Sequence, residues 1–169
     1  MRTLITGGVK SGKSRYALDL ARTEFGDPKL FVATAAVLDG EMAERIEKHR
    51  AERGGGAFGT FQTVEEQLRI DQTVARAGFR GVVVDCLPMW ANNLMHYDRE
   101  EEFESILAAF IASLPENLVV VTNETGLGNI PFDPETRRFN LLLAEANRRV
   151  AAACDRVLLM VSGIPLRVK

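Results

Sequence analysis

Eight consecutive residues carry the clearest chemistry in this chain. Gly7-Gly8-Val9-Lys10-Ser11-Gly12-Lys13-Ser14 fits the pattern G-x-x-x-x-G-K-[ST]. A glycine-rich turn lets backbone N–H groups point inward and wrap the oxygens of a phosphate, with help from the positive end of a following helix. In that arrangement Lys13 brings a cation to the β- and γ-phosphates, and the Ser14 hydroxyl is offered to Mg²⁺. The bland alternative is a glycine turn followed by an exposed lysine. The setting argues against it, because an apolar run at Arg2–Thr6 precedes the loop and a helical stretch at Gly12–Glu24 follows it. A metal held by phosphates also calls for a carboxylate at a strand end. Asp85, closing the Val82-Val83-Val84 run, is the first candidate to hold Mg²⁺, directly or through water; Glu124, after a later strand, is the second. Either carboxylate reads otherwise as a strand-end or capping residue.

A second constellation lies between residues 41 and 53. Met42, Ile46, His49 and Arg53 are spaced to share one helix face, with Arg45 and Arg50 close by. Arginines around an imidazole disfavour its protonation, and neutral imidazole is the form that attacks phosphorus. Taken alone, the helix reads more readily as an exposed, salt-bridged surface, since Glu41, Glu44, Glu47 and Glu52 are available as partners. His96 has no cysteine or histidine at ligand spacing and reads as a structural or solvated residue near a helix end. Trp90 suits a broad ligand face, an oligomer interface or the core equally. Cys86 and Cys154 each sit beside an apolar run and read as buried free thiols.

The elements that must position these residues alternate along the chain. Strands are predicted at Arg2–Thr6, Lys29–Ala35, Phe61–Val64, Gly81–Leu87, Leu118–Thr122 and Arg156–Ser162, with a short edge piece at Leu166–Lys169. Helices are predicted at Gly12–Glu24, Glu41–Arg53, Glu65–Ala77, Glu100–Leu114 and Glu135–Ala153. Valine-rich strands separated by helices imply an α/β fold of the P-loop NTPase type, with a mostly parallel central sheet covered by helices on both faces. No linker or second core interrupts the pattern, so residues 1–169 read as a single P-loop nucleotide-binding domain.

Composition excludes some classes. The formal net charge is −2, which gives no support to a nucleic-acid partner. No apolar run reaches bilayer-spanning length and no secretory leader pattern opens the chain, so stable membrane insertion is not expected and cytoplasm is the expected location. A guanine-reading N-K-x-D motif is absent where the late strand ends in Thr122-Asn123-Glu124-Thr125, and Asp85-Cys86-Leu87-Pro88 lacks the D-x-x-G of a switch. The pairs Arg137-Arg138 and Arg148-Arg149 lie in a predicted helix rather than in an arginine-rich kinase lid.

From end to end the chain resembles the adenosylcobinamide kinase/adenosylcobinamide-phosphate guanylyltransferase family. The resemblance is carried by Thr6–Ser14, by Asp39-Gly40-Glu41 through His49-Arg50, by Val121–Gly128 with Pro131, by Asn147–Ala151 and by Val161–Leu166. It implies a bifunctional enzyme of cobalamin biosynthesis. Such an enzyme phosphorylates adenosylcobinamide and then transfers GMP from GTP to adenosylcobinamide phosphate through a GMP-histidine intermediate. On that resemblance His49 is the nucleophile and Lys13 the catalytic cation. Gly7 to Ser14, Ala33, Thr34, Ala35, Arg50, Ala51, Glu52, Arg53, Glu65 and Asp85 flank the nucleotide, Ser14 and Asp85 serve Mg²⁺, GTP and ATP are the nucleotide substrates, and a homotrimer is implied. The sequence departs from the family pattern at Gly54-Gly55-Gly56, which replaces a G-R-P turn, and at Lys48, where some members have a second histidine. Two other readings remain open at this level: a P-loop small-molecule kinase in which His49 has no covalent role, and a non-enzymatic nucleotide-binding regulatory module.

Overall fold

The described residues contain the strands β1 (Arg2–Gly7), β2 (Lys29–Ala33), β3 (Phe61–Glu65), β4 (Gly81–Asp85), β5 (Leu118–Val121), β6 (Arg156–Val161) and β7 (Ile164–Arg167). These seven form one sheet in the order β3-β2-β4-β5-β1-β6-β7. All neighbouring pairs are parallel except β6 and β7, which form an antiparallel hairpin at one edge. The computed structural model describes residues 1–36, 61–128 and 130–169. The predicted helix Glu41–Arg53, with His49, Arg50, Ala51, Glu52 and Arg53, lies outside the described residues, as does the Gly54-Gly55-Gly56 departure.

Five α-helices accompany the sheet among the described residues: α1 (Lys13–Glu24), α2 (Ile70–Val74), α3 (Leu87–His96), α4 (Phe103–Ala112) and α5 (Pro134–Ala153). Successive strand residues point to opposite faces, and the core divides accordingly. On one face Ile5, Phe31, Val83, Val121 and Met160 pack against Ala17, Leu18 and Ala21 of α1. On the other, Leu4, Val32, Val84, Val120 and Val157 pack against Ile70, Trp90, Leu94, Phe110, Leu143 and Ala146. The central strands are buried on both sides, which is why they are continuous runs of Val and Leu rather than alternating ones. The P-loop-type α/β architecture expected from the sequence is therefore the observed one. Among the described residues no helix is long and apolar enough to cross a membrane.

The structure corrects several boundaries. The strand predicted to reach Leu87 stops at Asp85, and α3 starts at Leu87. Pro88 sits at the helix start, where its missing N–H costs no helical bond, and Leu87, Trp90, Ala91 and Leu94 form the buried stripe. Trp90 is fully buried, stacks on Phe103 at 5.4 Å and donates its indole N–H to the Leu68 carbonyl at 2.9 Å, so it is a core residue and not a ligand face. The helix expected over Glu65–Ala77 shrinks to Ile70–Val74: Glu65 is the last residue of β3, and the Glu66 carboxylate accepts the N–H groups of Leu68 and Arg69 to hold a turn in between. The edge strand occupies Ile164–Arg167, two residues earlier than expected. His96 ends α3 with its ring against Tyr97. Helix α5 begins at Pro134, where the Asp133 carboxylate accepts the Thr136 N–H at 2.6 Å as an N-cap.

Candidate active site

The glycine-rich segment forms a loop between β1 and α1, as its sequence demands. Gly7 has φ +147°, and a Cβ there would lie 2.5 Å from the Met160 carbonyl oxygen on β6, so only glycine fits between the two backbones. Lys10 holds a left-handed φ of +56°, which glycine counting does not anticipate. Gly8, Val9 and Lys10 are exposed at the crown of the loop, while Ser11 and Lys13 are buried. The Lys13 ammonium donates to the Gly8 carbonyl at 2.5 Å and to Ser11 Oγ at 3.4 Å. Lys13 is thus only 7% accessible and folds back under its own loop, which rules out the alternative of a glycine turn followed by an exposed lysine. That placement arches the loop around a cation, and the first turn of α1 contains no acidic residue to oppose an anion.

Strand pairing aligns the remaining predicted residues. Glu65 on β3, Ala33 on β2, Asp85 on β4 and Val121 on β5 share one register row across the ends of the parallel strands. By alternation, Ala33 and Asp85 have the parity of Phe31 and Val83 and face the side that carries α1. Asp85 is not on the strand beside the phosphate loop. Strand β5 intervenes, so two inter-strand steps, roughly 10 Å, separate β4 from β1. The residue that borders the loop is Glu124, whose N–H donates to the Gly7 carbonyl at 3.3 Å and whose carboxylate accepts the Gly126 N–H at 3.2 Å. Glu65 stands four steps away, roughly 19 Å from β1.

Thr34 is fully buried, and its polar groups are taken by the protein. Its N–H donates to the Asp85 carbonyl at 3.0 Å, its hydroxyl bridges the Cys86 carbonyl and N–H, each at 2.7 Å, and its carbonyl accepts from Asn93 at 2.7 Å. Thr34 therefore ties the ends of β2 and β4 together and presents Ala33 and Ala35 on either side. Asn93 also donates to the Gln67 carbonyl at 3.0 Å, so one side chain of α3 fixes the segments after both β2 and β3. On the other flank Asn147 of α5 accepts from Thr122 Oγ1 at 2.6 Å and donates to the Asn123 carbonyl at 2.9 Å. Sequence reading missed Asn93 and Asn147 as positioning residues. The available signal was a polar amide on the buried side of an otherwise apolar helix stripe.

The Arg69 guanidinium beside Asp71 holds that carboxyl below its ordinary range, at the start of α2. Burial pushes the Cys154 thiol up to about 11, at the opposite end of the sheet. Neither cysteine is in a disulfide; Cys154 is buried as expected, whereas Cys86 is half-buried.

Residues 3–168 match the family profile described as cobinamide kinase / cobinamide phosphate guanyltransferase. The chain is 38% identical over 175 residues to the bifunctional adenosylcobalamin biosynthesis protein CobP of Pseudomonas aeruginosa, covering 100% of this chain and 98% of that protein. It is 34% identical over 191 residues to CobU of Escherichia coli and 32% over 190 residues to CobU of Salmonella typhimurium, both also named bifunctional adenosylcobalamin biosynthesis proteins, with full coverage of each chain.

Proposed function

The chain belongs to the cobinamide kinase / cobinamide phosphate guanyltransferase family, and from that membership we propose that one nucleotide-binding domain carries out both transfers on a cobinamide acceptor. The observation that carries the reading is the phosphate loop with its buried lysine: the Lys13 ammonium is already seated 2.5 Å from the Gly8 carbonyl, inside the loop that a triphosphate would occupy.

In the first transfer the acceptor hydroxyl oxygen bonds to the γ-phosphorus of a nucleoside triphosphate, ATP or GTP, and the bond to the β–γ bridging oxygen breaks. The hydroxyl proton is lost, and a nucleoside diphosphate leaves. Loop N–H groups and Lys13 stabilise the charge that gathers on the phosphate oxygens. In the second transfer an imidazole nitrogen of His49 attacks the α-phosphorus of GTP, forming a P–N bond as the bond to pyrophosphate breaks. An oxygen of adenosylcobinamide phosphate then attacks the same phosphorus and releases the histidine. Splitting the reaction lets pyrophosphate depart before the bulky acceptor enters. The row Ala33–Asp85–Glu65 supports a nucleotide laid with its phosphates at β1 and its nucleoside over β2 and β4.

The oxygen donors fit Mg²⁺. Ser14, beside Lys13 at the start of α1, and Asp85, at the end of β4, are the oxygen donors that would hold the ion, directly or through its waters. When bound, Mg²⁺ would neutralise charge on the β- and γ-phosphates.

The test is incubation of the full chain with α-labelled GTP and Mg²⁺. Label should enter the protein as an acid-labile, base-stable adduct, with release of pyrophosphate. His49→Asn should lose the label and all guanylyl transfer while still phosphorylating adenosylcobinamide. An adduct of unchanged acid sensitivity in His49→Asn would move the nucleophile elsewhere.

A further inference from the structure

We propose that the loop between β5 and α5 is the docking wall for the corrin ring of the acceptor, with Leu127, Ile130 and Phe132 as its contact residues. The inference rests on the cobinamide acceptor proposed above. The loop begins on the phosphate site: the Thr122 N–H donates to the Ile5 carbonyl at 2.9 Å, and the Glu124 N–H donates to the Gly7 carbonyl at 3.3 Å. It ends on α5, where Arg137 donates to the Pro131 carbonyl at 2.9 Å and to the Phe132 carbonyl at 2.6 Å. Both ends are therefore held by hydrogen bonds, while the stretch between them turns large apolar side chains to solvent. Leu127 is 81% accessible, Ile130 85% and Phe132 102%. Single exposed apolar residues are ordinary, but three of this size in one short loop at the edge of a phosphate site mark a surface that binds something.

The chemistry of the acceptor matches that surface. A corrin macrocycle is broad and apolar on its face and polar at its amide-bearing rim. It is too large to enter a phosphate loop, so it must rest outside while a flexible arm carries the hydroxyl to the γ-phosphate. A wall of Leu, Ile and Phe, continuous through Glu124 with Gly7, holds the ring at the mouth and leaves the arm pointing at Lys13. Trp90, the aromatic residue that composition alone would nominate for this task, is fully buried and cannot serve.

The test uses the full chain carrying Leu127→Ser and Phe132→Ser together. Initial rates of phosphorylation are measured against adenosylcobinamide and against nucleotide, GMP adduct formation is measured from α-labelled GTP without acceptor, and assembly mass is read by light scattering. The acceptor KM should rise tenfold or more, with nucleotide KM, adduct yield and mass unchanged, and Leu127→Met with Phe132→Tyr should restore the acceptor KM to within about threefold of wild type. An unchanged acceptor KM overturns the proposal. So does a changed mass, which would show that a second copy of the chain covers the loop. Wild-type activity run alongside separates the two levels: an inactive wild type overturns the cobinamide function and the docking wall with it, whereas an active wild type with an unaffected variant overturns only the wall.

Discussion

The backbone N–H of Gly163 donates to the carbonyl of Ser11 at 3.2 Å, so the turn that joins β6 to β7 is bonded to the phosphate loop. Gly163 has φ +85° and follows Ser162 at φ +51°, a pair of left-handed residues that suits a tight hairpin. The edge hairpin thus braces the loop at the residue just before Gly12. Gly163→Pro deletes the donor and cannot adopt the backbone angle. It should raise nucleotide KM about fivefold, the equivalent of one hydrogen bond of about 1 kcal/mol. Gly163→Asn keeps the N–H and tolerates left-handed φ, so it should stay near wild type. Steady-state kinetics of a folded Gly163→Pro protein with unchanged KM would remove the hairpin from loop positioning.

Lys13→Ala should cut kcat/KM for phosphorylation by roughly 100-fold or more, as expected when one preorganised donor to a developing anion is removed. Because Lys13 is buried and bonded to the Gly8 carbonyl, truncation also disturbs the resting loop. Losing a hydrogen bond of about 1 kcal/mol shifts Tm by roughly 2–4 °C in a domain of this size. Thermal melts and rates measured on the same preparation check both. A fall in activity no larger than the stability loss accounts for would make Lys13 a structural residue.

Asp85→Asn and Glu124→Gln should behave differently. The Glu124 carboxylate accepts the Gly126 N–H in the loop after β5, and Asp85 closes β4 on the face that carries α1. Asp85→Asn should raise the Mg²⁺ concentration for half-maximal turnover about tenfold, by loss of a charged donor, and leave metal-free nucleotide binding unchanged. Glu124→Gln should leave the Mg²⁺ titration alone. The reverse pattern would assign the metal to Glu124.

Acid should weaken the α2 anchor. The Asp71 carboxyl is lowered from 3.8, chiefly by its hydrogen bonds to Arg69. A lowered folded value means that this contribution is fully present above 3.8 and is lost as pH falls through the folded value beneath it. Urea unfolding of the wild type should therefore lose stability below pH 3.8 more steeply than Asp71→Asn, which has no carboxyl there to protonate. Parallel pH profiles of the two proteins would show that the pair contributes nothing.

Much of the candidate site was legible because its information is local. The spacing of Gly7, Gly12, Lys13 and Ser14, between an apolar strand and a helix, specifies a phosphate loop wherever the rest of the chain goes. Val82–Val84 and Leu118–Val121 announced doubly buried strands for the same reason. Helix α3 was not legible: Leu87-Pro88-Met89-Trp90 prolongs the apolar run of β4, and a short apolar run does not distinguish strand from helix. Glu65 was drawn into a helix because Glu65-Glu66-Gln67-Leu68 has good helix formers, yet pairing with Ala33 and the Glu66-capped turn claimed that segment.

By itself, then, the sequence determined the class of fold, the phosphate chemistry and the family, since each is written in short-range spacing or in end-to-end similarity. Tertiary structure alone decided which strands are neighbours, and so that β5 separates Asp85 from the loop and Glu124 borders it. It decided that Lys13 is buried, that Thr34 spends its hydroxyl on Cys86, and that the Ser162-Gly163 turn reaches Ser11. The physical reason is common to all of these. Parallel strands are joined by long crossovers, so strand order and the hydrogen bonds between distant segments arise from how two apolar sheet faces are covered together, and no local window of the chain contains that choice.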